Sequence, residues 1–137
     1  MTLLRAHDID PAGRRVTVVG RSLVIGRPAA LLLTRADATV TLCHRKTPDL
    51  AARCRAADIL LAAAGAPGLI TPECVRPGQI VLDAGATALP DGTLRGDVTP
   101  AAAAIAACTP VPGGIGSVTT ALLLRHTVQA AEKSHHF

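Results

Sequence analysis

Aromatic residues are almost absent from this chain of 137 residues, which contains one Phe and neither Trp nor Tyr. A flat ligand bound here must therefore pack against aliphatic side chains. Lysine is scarce as well, since only Lys46 and Lys133 occur among the 14 basic residues, and the net charge of +4 is modest. Because no basic run is interleaved with aromatic residues, the sequence does not support a nucleic-acid-binding surface. We expect no nucleic-acid partner.

Long apolar runs are missing too, and none approaches the ~20 residues that a membrane span needs. The start of the chain, residues 1–5, is too short and too soon charged for a signal peptide. We therefore expect a cytoplasmic protein that has no membrane partner.

Cysteine pairs with CxxC spacing are also lacking, which argues against a zinc site or a disulfide framework. We expect reduced, buried thiols and no metal site. His135 and His136 are expected to belong to a disordered end rather than to a metal site. The four cysteines are Cys43, Cys54, Cys74 and Cys108.

What the chain does contain is an alternation of short apolar strands with helical segments. Such alternation predicts right-handed crossovers and a parallel sheet, and continuously apolar strands predict helices on both of its faces. The expected fold class is therefore α/β, a Rossmann-like parallel sheet formed by one domain over residues 1–137. The expected strands are 15–19, 38–43, 58–63 and 79–83, with a short one near 96–98. The expected helices are 28–35, 49–56, a short one from 71, 99–107 and 118–133, with Asp49, Thr99 and Ser117 as caps.

Residues 16–47 are the most informative stretch, because they follow the order strand, glycine loop, helix, strand and basic cluster. The loop from Gly20, Arg21 and Ser22 to Gly26 and a helix opening at Pro28 suit a dinucleotide pyrophosphate. The second strand ends in a His-Arg-Lys cluster at 44–46, where many NAD-binding domains place an acidic residue for the ribose hydroxyls. Basic groups there favour a 2′-phosphate and so predict NADP, with NAD as the alternative cofactor.

Three further loops are expected at the same edge of the sheet as the glycine loop, because ligands of such folds bind outside the carboxyl ends of the strands. They are residues 43–47, residues 64–67 around Gly65, and residues 83–87 with Gly85 and Ala86. A shaped, proline- and glycine-rich loop follows at 109–116. The convergence of these loops supports a ligand site more strongly than any single loop does.

Several of these residues also have a purely structural interpretation. Gly20 and Gly26 would also serve to end a strand and pack a helix, and the arginines at 21 and 45 would also serve as solvated surface charges. Asp83 is open between a nucleotide ligand and a loop-capping carboxylate. Asp97 is expected to order its own turn, and His44 to be a hydrogen-bonded structural histidine.

Six segments of the chain resemble the C-terminal, NAD(P)-binding domain of the bifunctional methylenetetrahydrofolate dehydrogenase/methenyltetrahydrofolate cyclohydrolase family. They occur in the family's order and cover nearly the whole chain from about Ile9 onward. The final TPVPGG makes the ordered set highly specific. The segments are VVGRSLVIGRPAALLL, ATVTLCHRKT, ADILLAAAGAPGLI, VRPGQIVLDAG, GDV and TPVPGGIGSVTTALLLRHTV.

The resemblance implies a role for individual residues of the expected cofactor site. Gly20, Arg21 and Ser22 would contact the adenosine phosphate end, and Arg45 would lie beside the 2′-phosphate. Ala86 would lie at the nicotinamide side. The loop residues Pro112, Gly113 and Gly114 would face the folate cleft. The remaining expected cofactor-binding residues are Gly26, Pro28, Gly65 and Gly85.

The chain departs from the family pattern in two loops. Residues 84–86, Ala-Gly-Ala, replace a bulkier sequence, and residues 116–118, Gly-Ser-Val, replace the usual Gly-Pro-Met. The resemblance also implies that the catalytic Tyr and Lys, and the Gln and Asp that hold the pterin, belong to a domain that precedes this one. We therefore expect this chain to contain no catalytic residue, and to bind nucleotide without either activity by itself.

Two other functions remain open from the sequence. One is a stand-alone dinucleotide-binding module or pseudoenzyme without folate chemistry, and the other is a dehydrogenase of another small substrate that is completed across a dimer. The last helix, apolar on more than one face, predicts a homodimer or docking on a separate catalytic-domain chain.

Overall fold

A computed structural model describes residues 1–134; the expectation for His135 and His136 concerns residues outside this range. The strands are β1 (Arg15–Val19), β2 (Thr39–Cys43), β3 (Ile59–Ala62), β4 (Ile80–Asp83), β5 (Thr87–Ala88), β6 (Leu94–Arg95) and β7 (Ala107–Cys108). The helices are α1 (Thr2–Ala6), α2 (Gly26–Thr34), α3 (Leu50–Ala56), α4 (Pro100–Ala103) and α5 (Ile115–Ser134), with a 3₁₀ turn at Pro72–Cys74.

Five strands form a parallel sheet in the order β2-β1-β3-β4-β7, and β5 pairs with β6 in a small antiparallel hairpin. The register places Val19, Cys43, Ala62 and Asp83 in one row across the sheet. The chain crosses from β2 on one side of β1 to β3 on the other, so the strand order reverses at β1. This arrangement confirms the predicted Rossmann-like parallel sheet.

Apolar residues fill both faces of the sheet. On one face, Leu4 of α1 and Leu33 of α2 pack with Val16 and Ile59 of the central strands. On the other face, Leu60, Val81 and the thiol of Cys54 belong to a second buried cluster that extends to α4. Because β1 and β3 are buried on both sides, β3 is apolar throughout, and β1 after Arg15 is apolar except for Thr17, whose hydroxyl donates to the carbonyl of Arg53.

The predicted start is wrong at two helices, and the predicted side-chain cap is absent at a third. The helix α2 begins at Gly26, so Pro28 is its third residue, which is still within the first turn, where a missing N–H is tolerated. The helix α5 begins at Ile115, so Ser117 lies inside it and is not a cap. Asp49 stands at the start of α3 in a left-handed conformation with φ 52°, and its side chain makes no capping hydrogen bond.

The region between β4 and α5 also differs from the prediction. Thr99 caps α4 as expected, since its Oγ1 accepts the N–H of Ala102 over 3.2 Å. The helix ends at Ala103, and β7 follows as a fifth sheet strand that the sequence did not indicate. A strand of two residues is too short to show periodicity. The short strand expected near 96–98 lies instead at Leu94–Arg95.

Three of the four cysteines are buried in the core, and the fourth, Cys108, is half-buried. Burial raises the pKa of the Cys54 thiol to about 12, so this group stays protonated at neutral pH. Within residues 1–134, no helix is both long enough and apolar enough to cross a membrane.

An ionic cluster closes the amino-terminal edge of the sheet. Oδ1 of Asp58 accepts hydrogen bonds from Nη2 of Arg15 and from Nη2 of Arg76, each over 3.1 Å. The hydrogen bond from Arg15 is the main reason why the pKa of Asp58 is lowered to about 2. Arg15 and Arg76 are thus used within the fold, at the edge opposite to the expected ligand site.

Candidate functional site

Four loops leave the sheet from the same row of residues at its carboxyl edge. The first residue of each of three loops still donates to a neighbouring strand: Gly20 N–H to Cys43 O over 2.9 Å, Ala63 N–H to Val19 O over 2.8 Å, and Ala84 N–H to Ala62 O over 2.8 Å. These bonds fix where each loop begins. The convergence predicted from the sequence is therefore present in the structure.

The two glycines of the first loop allow a close approach of backbone segments. A Cβ added to Gly20, whose φ is +116°, would overlap the carbonyl oxygen of Ala63. A Cβ added to Gly26 would overlap the carbonyl oxygen of Gly20 itself. Packing of β1, β3 and α2 thus accounts for both glycines without a ligand, and their contact with a phosphate stays a prediction.

The N–H groups at the start of α2 are largely satisfied within the protein. The Ser22 Oγ accepts the N–H of Ile25 over 3.1 Å and that of Gly26 over 3.4 Å, and Arg27 N–H donates to the carbonyl of Ser22. Pro28 has no N–H to offer. The helix start therefore offers its dipole, together with the exposed Arg21 side chain, rather than a set of free donors.

The turn that follows β2 is closed by three internal hydrogen bonds. His44 N–H donates to Thr47 Oγ1 over 2.9 Å, Thr47 N–H donates to His44 O over 2.8 Å, and Lys46 N–H donates to His44 Nδ1 over 3.2 Å. His44 is thus a structural, hydrogen-bonded residue, as expected. Arg45 and Lys46 are exposed, and the ion pairs within residues 1–134 all involve Asp58, so neither cation is neutralised there.

A largely apolar cleft of about 740 Å³ opens between the start of α2 and the loops that follow β4 and β7. Six of the predicted site residues line it: Pro28, Gly85, Ala86, Pro112, Gly113 and Gly114. The other six, Gly20, Arg21, Ser22, Gly26, Arg45 and Gly65, lie in loops of the same sheet edge but outside this cleft. The peptide bond between Val111 and Pro112 is cis.

The apolar residues of the cleft wall that were missed from the sequence include Val24, Ile25 and Leu94. Val24 is 84% exposed and Leu94 is 48% exposed. Val24 and Ile25 were recognisable as branched aliphatic residues in a loop, where polar residues are usual, whereas Leu94 lies in the short strand β6 and gave no such signal. With no aromatic residue in the cleft, these side chains are the surfaces on which a flat ring can pack.

Two buried carboxylates shape the loops that follow β3 and β4. Asp97 accepts the N–H groups of Ala64 (2.6 Å), Gly65 (3.1 Å) and Ala66 (2.8 Å). Asp83 accepts the N–H groups of Gly85 (2.9 Å), Asp97 (3.0 Å) and Val98 (3.0 Å). Asp83 is therefore a loop-capping carboxylate, and Asp97 orders a distant loop rather than its own turn alone. Burial raises the pKa of Asp97.

Residues 1–135 match a family model described as the NAD(P)-binding domain of tetrahydrofolate dehydrogenase/cyclohydrolase. The chain belongs to this family. It is 58% identical over 133 residues to bifunctional protein FolD 1 of Rhodococcus jostii, a match that covers 96% of this chain and 45% of that protein. Fold, family and cofactor class therefore agree with the prediction made from the motifs.

Solved structures of the dehydrogenase/cyclohydrolase family share this architecture. The crystal structure of the bifunctional enzyme FolD from Campylobacter jejuni matches with a TM-score of 0.92 and 41% identity, over 98% of this chain and 48% of that one. The Trypanosoma brucei enzyme, which was crystallised with NADP cofactor and inhibitor, matches with a TM-score of 0.91 and 42% identity, over all of this chain and 50% of that one.

The chain spans about half the length of the curated relatives and solved chains that it matches. What these comparisons establish for it is an NAD(P)-binding domain of the tetrahydrofolate dehydrogenase/cyclohydrolase family.

Proposed function

We propose that this chain binds NADP, with the adenosine 2′-phosphate on the turn after β2 and the nicotinamide in the apolar cleft. The observation that carries the proposal is the pair of exposed, unneutralised cations, Arg45 and Lys46, held in a closed turn at the end of β2. In domains of this fold, that position lies beside the ribose hydroxyls of the adenosine. A guanidinium there suits a phosphate group.

The proposed role is that of the cofactor-binding half of a methylenetetrahydrofolate dehydrogenase/cyclohydrolase. When bound, NADP supplies the hydride-transfer chemistry. The residues of this chain would hold the cofactor, turn its nicotinamide towards the folate, and keep water from that ring with the apolar wall of Val24, Ile25 and Leu94. Proton transfer at the folate needs a group of suitable pKa in the cleft. Neither lysine lies there, and the sequence has no tyrosine.

Calorimetric titration of the chain with NADP and with NAD tests the binding proposal. We expect NADP to bind more tightly, and we expect no turnover of methylenetetrahydrofolate by this chain alone. Equal affinities for the two cofactors would overturn the assignment of the 2′-phosphate site. Absence of binding to both would overturn the function, and measurable turnover would overturn the expected lack of activity. The same titration with a folate analogue present measures how far binding of the folate analogue depends on the cofactor.

We also propose that the outer face of α5 packs on a catalytic domain equivalent to the other half of the relatives. Val118 and Leu122 lie on the helix face that meets the body of the protein, where they line a cavity with Leu3 and Leu4. Leu124 lies on the opposite side from Leu122, because two residues correspond to about 200° of rotation in an α-helix, and Val128 lies beside Leu124, one turn further along. Their side chains are 65% and 57% exposed. A cytoplasmic location is part of this proposal, which agrees with the four free thiols.

The outer face of α5 can be tested on the chain alone. We expect the chain to bind a hydrophobic dye, and the double variant Leu124→Gln with Val128→Gln to bind much less of it. Thr127→Gln changes an exposed residue of the same helical turn and should leave dye binding unchanged. A monodisperse monomer that binds no dye would contradict the proposal. A discrete dimer that the double variant dissociates would assign the face to a homodimer instead.

A further inference from the structure

The two buried aspartates form an interlock that joins three loops of the carboxyl edge. Together their carboxylates accept six backbone N–H groups, from residues 64–66, 85, 97 and 98. Asp97 is fully buried and Asp83 is 3% exposed. The N–H of Asp97 is itself one of the donors to Asp83, so the second carboxylate holds the first in place.

Two glycines make room for the interlock. A Cβ added to Gly85 would lie 2.5 Å from Oδ1 of Asp97, and one added to Gly96 would overlap Oδ2 of Asp83. The carboxylate of Asp97 thus packs on the Cα of Gly85, and the carboxylate of Asp83 packs on the Cα of Gly96. Since the ion pairs within residues 1–134 all involve Asp58, neither carboxylate faces a cation at ion-pairing distance. Their hydrogen-bond donors are the six backbone N–H groups.

The held loops lie on one particular side of the cofactor site. The adenosine end belongs to the β2 side of the sheet, and the strand order runs β2-β1-β3-β4. A dinucleotide that crosses this edge therefore brings its nicotinamide half to the loops after β3 and β4. Those are the loops that Asp97 and Asp83 hold, and Gly85 and Ala86 of the second loop line the apolar cleft.

We propose that Asp97 is a positioning residue for the nicotinamide half of the cofactor, acting through residues 64–66, with Asp83 supporting it. The proposal rests on the proposed NADP binding. Its physical basis is that one carboxylate is the common acceptor of three successive N–H groups. An asparagine amide cannot replace this carboxylate. The amide oxygen accepts N–H groups on one side only, and the NH₂ group, which is itself a donor, faces the remaining N–H groups.

The test compares NADP with adenosine 2′,5′-bisphosphate, which carries only the adenosine half of the cofactor. We expect Asp97→Asn to weaken NADP binding by about ten-fold, to leave binding of the bisphosphate unchanged, and to speed amide hydrogen exchange at residues 64–66. Asp10→Asn is the matched control, because Asp10 is an exposed aspartate that accepts one local N–H, from Ala12. It should change none of the three measurements.

A second variant, Asp97→Ser, keeps the inference falsifiable if the asparagine disturbs folding, because it places no amide among the donors. We again expect weaker binding of NADP and unchanged binding of the bisphosphate. Equal losses for NADP and the bisphosphate, or loss of bisphosphate binding by both variants, would show that Asp97 serves the fold alone and would overturn the proposal. Unchanged NADP binding would overturn it as well. Failure of the wild-type chain to bind NADP is a separate result, which refutes the proposed function.

Discussion

Replacing Arg45 with Glu should weaken NADP binding by at least about ten-fold, because a charge-assisted contact with the 2′-phosphate contributes about 1.5–3 kcal/mol. Arg45 is exposed and lies in a turn whose shape depends on His44 and Thr47, so the substitution should leave that turn intact. A carboxylate at this position can accept the free 2′-hydroxyl of NAD. NAD binding should therefore stay constant or improve, and the preference for NADP should disappear. Calorimetric titration of the wild type and of Arg45→Glu with both cofactors measures the change.

The matched control for this charge reversal is Arg35→Glu. Arg35 is an exposed arginine at the other end of α2, at the opposite edge of the sheet from the turn after β2. The substitution Arg35→Glu changes the net charge by the same amount as Arg45→Glu and leaves the proposed phosphate site unaltered. A similar loss of NADP affinity in this control would show that general attraction, and not a local contact, is being measured. An equal loss of both cofactors in Arg45→Glu would contradict the position assigned to the 2′-phosphate.

The turn after β2 was predictable because each of its parts is a local feature of the sequence. A β-branched strand, an abrupt cluster of basic residues and the absence of an acid can all be recognised within ten residues. The parallel sheet was predictable in the same way, since alternating strands and helices imply right-handed crossovers. The strand β1 was predicted with its correct ends, because its apolar residues stop at Gly20.

The interlock of Asp83 and Asp97 was not predictable, because five of its six hydrogen bonds join residues that are far apart in sequence. Asp97 lies 33 residues after Ala64, whose N–H it accepts. In the sequence alone, an aspartate beside a glycine indicates only a turn. The role of Ser22 was missed for a related reason: its hydroxyl satisfies the first N–H groups of α2, which general rules assign to a phosphate. The roles of these three residues can be recognised only when the positions of their N–H donors in space are known.

Gly26→Ala should be among the most damaging single substitutions in this chain. The added methyl group would overlap the carbonyl oxygen of Gly20, which is backbone and has no rotamer through which to move away. Overpacking of a tight site costs about 1–3 kcal/mol, and more where backbone must shift. The strain falls on the loop that carries Arg21 and Ser22. We therefore expect a lower free energy of unfolding in chemical denaturation, and loss of NADP binding even in the fraction that remains folded.

Gly116→Ala is the matched control, because it makes the same change in the first turn of the helix α5, where nothing lies within 4 Å of the added Cβ. There alanine should leave stability unchanged or raise it by up to about 1 kcal/mol, since glycine is the poorer helix former. The contrast separates steric overlap from helix propensity, which has the same sign at both positions. If Gly26→Ala were as stable as the wild type, the contact between the start of α2 and the end of β1 would not be as close as described. Gly26 would then be required, if at all, by a bound phosphate and not by the fold.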